Sequence, residues 1–417
     1  MANSLITPAW ITTTTLKYLF NNSAFLGNVN TSYNDQFAKD GAKVGSTINV
    51  RRPVRAQVRS GAVAVIQDVN ETQVPITVEP EFGIDWAFTD FDTTLSVDKF
   101  EQRYCAPFGA QLAAELDLRI GQRFYRAVAN FAGTPGTGPS TAANVLAAGA
   151  VLDNNSCPRD GKQRTMVLNP LANASLVGGL TGFFNSQDRI SKQYKSGMMG
   201  VDSLGMDFQM SQNLPTHTVG ALGGTPVVNG AGQGTTNVGT TDNPYAVTTS
   251  LVTNGWTAAA GNRLNAGDVI TIAGVNAVNP VTKQDLGVLQ TFVVTSAVAS
   301  DGAGNATIII APGIVAGGAY KIVTALPASG AAITVKTGVA STGYGQNMLY
   351  HPDAMALVTL PMDVPGGMDM AHRAEYEGVN LRFVRGFDIT NNRRISRFDL
   401  LAGYGCVRPE WAVRLTS

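Results

Sequence analysis

Charge is scarce in this chain. Only 14% of its 417 residues are Asp, Glu, Lys or Arg, and 30 basic residues balance 30 acidic ones. That is well below the quarter usual in soluble domains, and a formally neutral chain has no global attraction for nucleic acid or an anionic membrane. Cysteine is scarcer still. Cys105, Cys157 and Cys406 are few, odd in number and far apart, which argues against a disulfide framework and a thiolate zinc site. The three histidines, His217, His351 and His372, lack metal-ligand spacing. No run approaches the roughly 18 apolar residues of a membrane-spanning helix. Met1-Ala2-Asn3-Ser4 lacks the basic region and apolar core of a signal peptide, so a soluble, cytosolic product is expected.

Catalytic motifs are missing as well. There is no His-Glu-x-x-His, no Cys-x-x-Cys and no Gly-x-Ser-x-Gly elbow. Gly41-Ala42-Lys43-Val44-Gly45-Ser46 has neither the spacing nor the lysine position of a phosphate loop, and Gly230-Ala231-Gly232-Gln233-Gly234 is a glycine cluster in low-complexity sequence. Glu375 and Glu377 fall in an ordinary polar stretch. The expectation is a non-catalytic protein with no catalytic residues, cofactor or metal.

What is present is glycine, with 45 residues, 19 prolines and a 44% hydrophobic fraction. Such a chain folds, is rich in turns and leans towards β structure. Its length suits two or three domains. Residues 1–42 carry Thr, Asn and Ser with scattered apolar anchors, among them Trp10, Leu16 and Phe25, and read as an extended arm that packs on another subunit. From Lys43 to Glu81 the pattern is strand-like, and period-2 geometry would put Arg51, Arg55 and Arg59 on one face. With Arg52, these arginines precede an acidic stretch: Asp68, Glu71, Glu79, Glu81, Asp85, Asp90, Asp92 and Asp98. Two readings stand: a solvated hairpin that pairs internally, or a long loop whose basic edge docks on an acidic neighbour. No aromatic residues interleave with the arginines, which disfavours a nucleic-acid patch.

A long helix follows. Asp98 and Glu101 form a capping-box-like start and Pro107 a break or restart. Phe108, Leu112, Leu116, Ile120, Phe124 and Val128 then recur every four residues until Gly133 and Pro135 end the element. About 25 residues at 1.5 Å each would span about 38 Å. Residues 140–153 predict a second helix with Ala143, Val145, Leu146 and Val151 inward. Thr165–Leu168 predicts a strand, and Asn169-Pro170 a helix cap leading to Leu176, Leu180, Phe183 and Phe184. Between Ala221 and Ala340 only Asp242, Arg263, Asp268, Lys283, Asp285, Asp301, Lys321 and Lys336 are charged. Strands predicted at Val269–Ile272, Leu289–Val294, Thr307–Ile310, Tyr320–Thr324 and Ile333–Lys336 make this a separate all-β domain, a barrel or sandwich. The chain closes in strands at Met355–Leu360, Asn380–Ile389 and Arg394–Val413, with Asn391-Asn392 as a hairpin tip.

This order of parts, together with Leu112–Arg119, Val167-Leu168-Asn169-Pro170, Ala266–Val275, His351–Val358 and Gly403–Glu410, resembles the major capsid proteins of tailed bacteriophages. More narrowly it looks like the coat proteins of short-tailed Salmonella-type phages, which carry an inserted β domain. The resemblance implies an α+β fold shared with encapsulins: an N-terminal arm (1–42), an extended β loop (43–97), a spine helix and peripheral domain (98–139), an axial domain (140–219 and 346–378), an inserted all-β domain (220–345) and peripheral strands (379–417). It further implies hexamers and pentamers in an icosahedral shell, a scaffolding protein, a portal and packaged double-stranded DNA as partners, no membrane, and assembly in the bacterial host cytoplasm. Arg51, Arg52, Arg55, Arg59, Trp10, Leu16 and Phe25 are the expected inter-subunit contacts. Two alternatives are an encapsulin-like compartment shell and a β-rich surface adhesin.

Overall fold

The computed structural model describes residues 7–33, 47–56, 58–59, 61–64, 66, 71–89, 101–159, 163–179, 204–235 and 243–416. Few helices and many strands make the protein α+β. The α-helices among the described residues are α1 (Pro8–Asn22), α2 (Ala106–Ala127), α3 (Ala142–Asn154) and α4 (Pro170–Gly179). The chain divides into two compact units. The first is Met1–Asn49, Pro75–Ile120 and Ala356–Gly405; the second is Val50–Val74, Gly121–Met355 and Cys406–Ser417.

In the first unit, residues expected as an extended arm form a helix instead. Thr7 caps α1 by accepting from the Trp10 N–H at 3.3 Å, and Pro8 occupies the first turn, where its missing donor costs nothing. Ile11, Thr12, Thr15, Leu16 and Leu19 are buried at helical spacing. Threonine is a weak helix former, so the run Thr12–Thr15 hides this helix from a propensity reading; burial of one face decides it. α1 lies on the strands Met370–Tyr376 and Val379–Asp388. These belong to a four-stranded antiparallel sheet completed by Arg393–Leu400 and Phe82–Thr89. Trp86 stacks among Phe108, Phe383 and Phe398 with ring centroids 4.9–6.0 Å apart. Asn392 at the predicted hairpin tip adopts the left-handed conformation a tight turn requires.

α2 is preceded by one π-type turn, Glu101–Cys105. Pro107 lacks the N–H that would bond Arg103, so the ladder changes register there and does not break. Asp98 of the proposed capping box lies outside the described residues. Gly109 has a packing reason: a Cβ there would lie 2.8 Å from the Thr15 carbonyl oxygen and from Tyr18 Cβ. Only glycine lets the two helices approach so closely.

The second unit holds a mixed sheet in the order Phe131–Ala132, Ala412–Thr416, Gly343–Tyr350, Arg164–Leu168, Met206–Met210, with Thr216–Thr218 also pairing Gly343–Tyr350. Ala412–Thr416, expected among the peripheral strands, therefore belongs here. Helices α3 and α4 bury Val145, Ala148, Leu152, Ala172 and Leu176 in this sheet's core. The inward face of α3 is Val145, Ala148, Gly149 and Leu152, whereas Leu146 is exposed. Asn169 Oδ1 accepts from the Ala172 N–H at 2.6 Å, the cap the sequence predicts. Leu180, Phe183 and Phe184 lie outside the described residues.

Inserted into this unit is a six-stranded antiparallel sheet in the order Ile333–Val335, Val269–Val278, Asp285–Val294, Ala306–Ala311, Thr249–Trp256, Gly224–Val228. Its two ends meet through an antiparallel bridge between Val227 and Ala332, and the Val228 N–H donates to Ala331 O at 2.9 Å. The sheet is thus a closed barrel. In Ala306–Ala311, Ala306, Ile308 and Ile310 point inward and alternate with Thr307 and Ile309. Leu251, Trp256, Ile270, Ile272, Phe292 and Val294 complete the core. Tyr320–Thr324 is not a strand; it contributes one isolated bridge, Ala277 to Val323.

Candidate subunit interface

The arginine-bearing loop leaves one strand, Thr47–Arg51, and returns through another, Gln73–Thr77, which pair as a two-stranded ladder. None of the described residues from Arg52 to Ile66 is in a strand. Pro53 cannot donate to a ladder, and Gly61 has φ +96°. The expected common face of Arg51, Arg55 and Arg59 is therefore not formed.

Each arginine does something different. Arg51 pairs with Glu71 at 2.9 Å across the loop base, both side chains half-exposed or more, a contact of small energy in water. Arg52 is buried, and its backbone N–H donates to Thr72 O at 2.9 Å. Arg55 sits 3.9 Å from Glu410 and 5.9 Å from the Tyr245 ring centroid, and its backbone N–H donates to the Tyr320 hydroxyl. Arg59 donates to the carbonyls of Gly61 and Val63 within its own loop. Of the acidic residues further along, Glu81 and Asp85 are engaged by arginines of their own chain: Glu81 lies 3.7 Å from Arg382 and 3.4 Å from Arg397, and Asp85 lies 3.7 Å from Arg397.

Among the described residues of the loop, three apolar side chains are strongly exposed. Val58, Val63 and Ile66 stand 94%, 82% and 92% open to solvent. Isolated apolar side chains on a surface are normal, but three such exposed residues fall within one short stretch of this loop. Of the expected apolar anchors, Leu16 and Phe25 are buried in the core of their own unit, while Trp10 remains partly exposed.

The second unit also contains a buried polar cluster that sequence reasoning did not single out as a site. Asp268 is fully buried and accepts four hydrogen bonds: Oδ1 from Thr337 Oγ1 at 2.9 Å and from His217 Nε2 at 2.8 Å, Oδ2 from the N–H groups of Asn265 at 2.7 Å and Gly220 at 3.1 Å. Gly220 and Thr337 flank the barrel at the two places where the chain enters and leaves it. Next to this carboxylate, the buried Arg414 donates through Nη1 to Gly267 O at 2.6 Å and through Nε and Nη2 to Gln346 Oε1. Burial pushes the Arg414 pKa down to about 10, so it remains charged at neutral pH. Gly267 has φ +101°, and a Cβ there would meet Tyr125 at 2.8 Å. This explains the Gly267-Asp268 pair. An Asp–His–Thr set resembles catalytic machinery, but here every oxygen of the carboxylate is occupied and water is excluded; the cluster is a bolt. No group of three His, Cys, Asp or Glu that could hold a metal occurs among the described residues.

The barrel, the long helix and the exposed apolar residues of the loop belong to a protein whose class the family match supplies: the subunit of a protein shell. The family model described as P22 coat protein, gene protein 5, matches residues 74–416. The chain belongs to that family, and it is a major capsid protein of a tailed bacteriophage. No curated protein matches it by sequence. Among solved structures, one from Mycobacterium phage Che8 is 13% identical, with 94% of this chain and 90% of that chain covered and a TM-score of 0.46. The CUS-3 coat protein I-domain is 30% identical over 27% of this chain and 96% of its own, with a TM-score of 0.20. A virus-like particle from Pyrococcus furiosus is 8% identical, with 97% of both chains covered and a TM-score of 0.37.

Proposed function

We propose that this capsid protein builds its shell from hexamers and pentamers, with the loop of residues 43–90 reaching over a neighbouring copy. The exposure of Val58, Val63 and Ile66 carries this reading, because an uncovered apolar loop gains by burial against another subunit, at about 25 cal/mol per Å². The basic residues play a smaller part: Arg51 and Arg59 are satisfied locally, and Arg55 is turned towards Glu410. The protein is structural and catalyses nothing. Double-stranded DNA fills the shell without sequence-specific contacts, and a scaffolding protein and a portal act in assembly in the host cytoplasm.

The double variant Val58→Asp/Ile66→Asp tests this. Light scattering against concentration should show assembly beginning at a higher threshold, with the circular dichroism melt of the unassembled subunit unchanged. Assembly at the wild-type threshold would remove the loop from the interface.

A further inference from the structure

Arg52, Arg55, Asn243, Tyr245, Arg408 and Glu410 line a cavity of about 90 Å³ at the base of the loop, all within the second unit. Its chemistry is unbalanced. Three arginines and one glutamate line it, only Arg55 lies within 4 Å of the carboxylate, and the Arg52 side chain is more than nine-tenths buried. Arg52 Nε and Nη1 and Arg55 Nη1 are buried without a hydrogen-bond partner, and so is Glu410 Oε2. Asn243 donates to Thr72 Oγ1 and accepts from the Tyr245 N–H, and Arg408 lies 4.0 Å from the Trp411 ring centroid.

Unpaired donors on buried cations are costly. Water in the cavity would satisfy the hydrogen bonds but leave the excess positive charge. An oxyanion does both, and the planar fork of arginine fits oxyanion geometry. Glu410 Oε2 adds a requirement, since a carboxylate facing a bound anion repels it unless the anion presents a proton. Hydrogen phosphate has a P–OH to donate there; sulfate at neutral pH has none.

We propose that this cavity binds a small protonated oxyanion, for which inorganic phosphate is the probe: Arg52 and Arg55 donate to its oxygens, and its hydroxyl donates to Glu410. Bound there, it ties the start of the loop, residues 52–55, to the segment 408–410, and so stiffens the loop where it leaves the body. The site is independent of how the loop tip contacts a neighbour.

The test is calorimetric titration of the full-length, unassembled protein with phosphate, at ionic strength held constant with chloride. Saturable one-site binding is expected, weakened at least about tenfold in Arg52→Gln and in Arg55→Gln and about tenfold weaker for sulfate, each factor corresponding to about 1.4 kcal/mol. Glu410→Gln should narrow the gap between phosphate and sulfate. Circular dichroism melts establish that each variant is folded; if Arg52→Gln is not, the half-buried Arg55→Gln and the phosphate-to-sulfate ratio in the wild type decide. Absence of saturable binding above the chloride control, or affinity unchanged by the arginine substitutions, overturns the site. Equal affinity for phosphate and sulfate overturns the hydroxyl contact to Glu410.

Discussion

Asp268 and Asp117 are both buried carboxylates, placed in different surroundings. Asp268 is saturated by four donors, so truncation leaves two backbone N–H groups, a histidine and a threonine without their acceptor. Asp268→Ala should therefore cost about 2–4 kcal/mol, read from urea denaturation of the unassembled subunit. Asp117 on α2 accepts from the Ser23 hydroxyl and from the Ala24 N–H at 2.9 Å, holding the segment that follows α1. Burial outweighs those bonds and raises its pKa from 3.8 to about 6. The sign follows: the folded state holds the proton more tightly than the unfolded one, so this carboxyl favours folding most below about pH 4 and loses that contribution as pH rises through about 6. Asp117→Asn stays neutral, and its melting temperature should fall less over that range than the wild type's; parallel curves would show that Asp117 does not titrate there.

At the scale of elements, α1 changes what truncation should do. An extended arm could be removed with only assembly affected. A helix that buries Leu16 and Leu19, and is followed by the buried Phe25 and Leu26, is part of a core. Leu16→Ala should cost about 2–5 kcal/mol, and deletion of residues 1–30 should abolish the cooperative melt of the first unit. A truncated chain that melts like the full-length protein would return this segment to the role of an arm. α2 was legible because its apolar residues recur every four positions. α1 was not, because its threonines are as compatible with a strand or a loop as with a helix.

For the whole molecule, closure of the barrel matters most. Its bridge from Val227 to Ala332 joins the two edge strands of the six-stranded sheet, so those edges are less open to pairing with other chains. Residues 220–345 expressed alone should give a β-type circular dichroism spectrum and a cooperative melt; a disordered fragment would mean that the body holds the barrel together. A shell held by many weak contacts gains from high effective concentration once a subunit is held at one edge. Assembly of the full-length protein should then be sharply cooperative in concentration, with scaffolding protein needed for uniform closed shells. Light scattering with electron microscopy checks both.

Composition, period and turn chemistry by themselves determined the β-leaning character, the long helix, the Asn169-Pro170 cap, the charge-poor β insertion and the closing hairpin, because each is written in residues close together along the chain; the α+β class came with the family resemblance. The Gly267-Asp268 and Arg408-Pro409-Glu410 strings marked the family before any reason for them was visible. Only the tertiary structure supplied the reasons, because the partners are distant in sequence: Asp268 meets His217 and Thr337, and Glu410 meets Arg55. The shared arginine face failed for a local reason that the period-2 reading passed over. Period-2 spacing puts side chains on one side only if a strand forms, and Pro53, with no ladder donor, sends the chain out of the strand after Arg51.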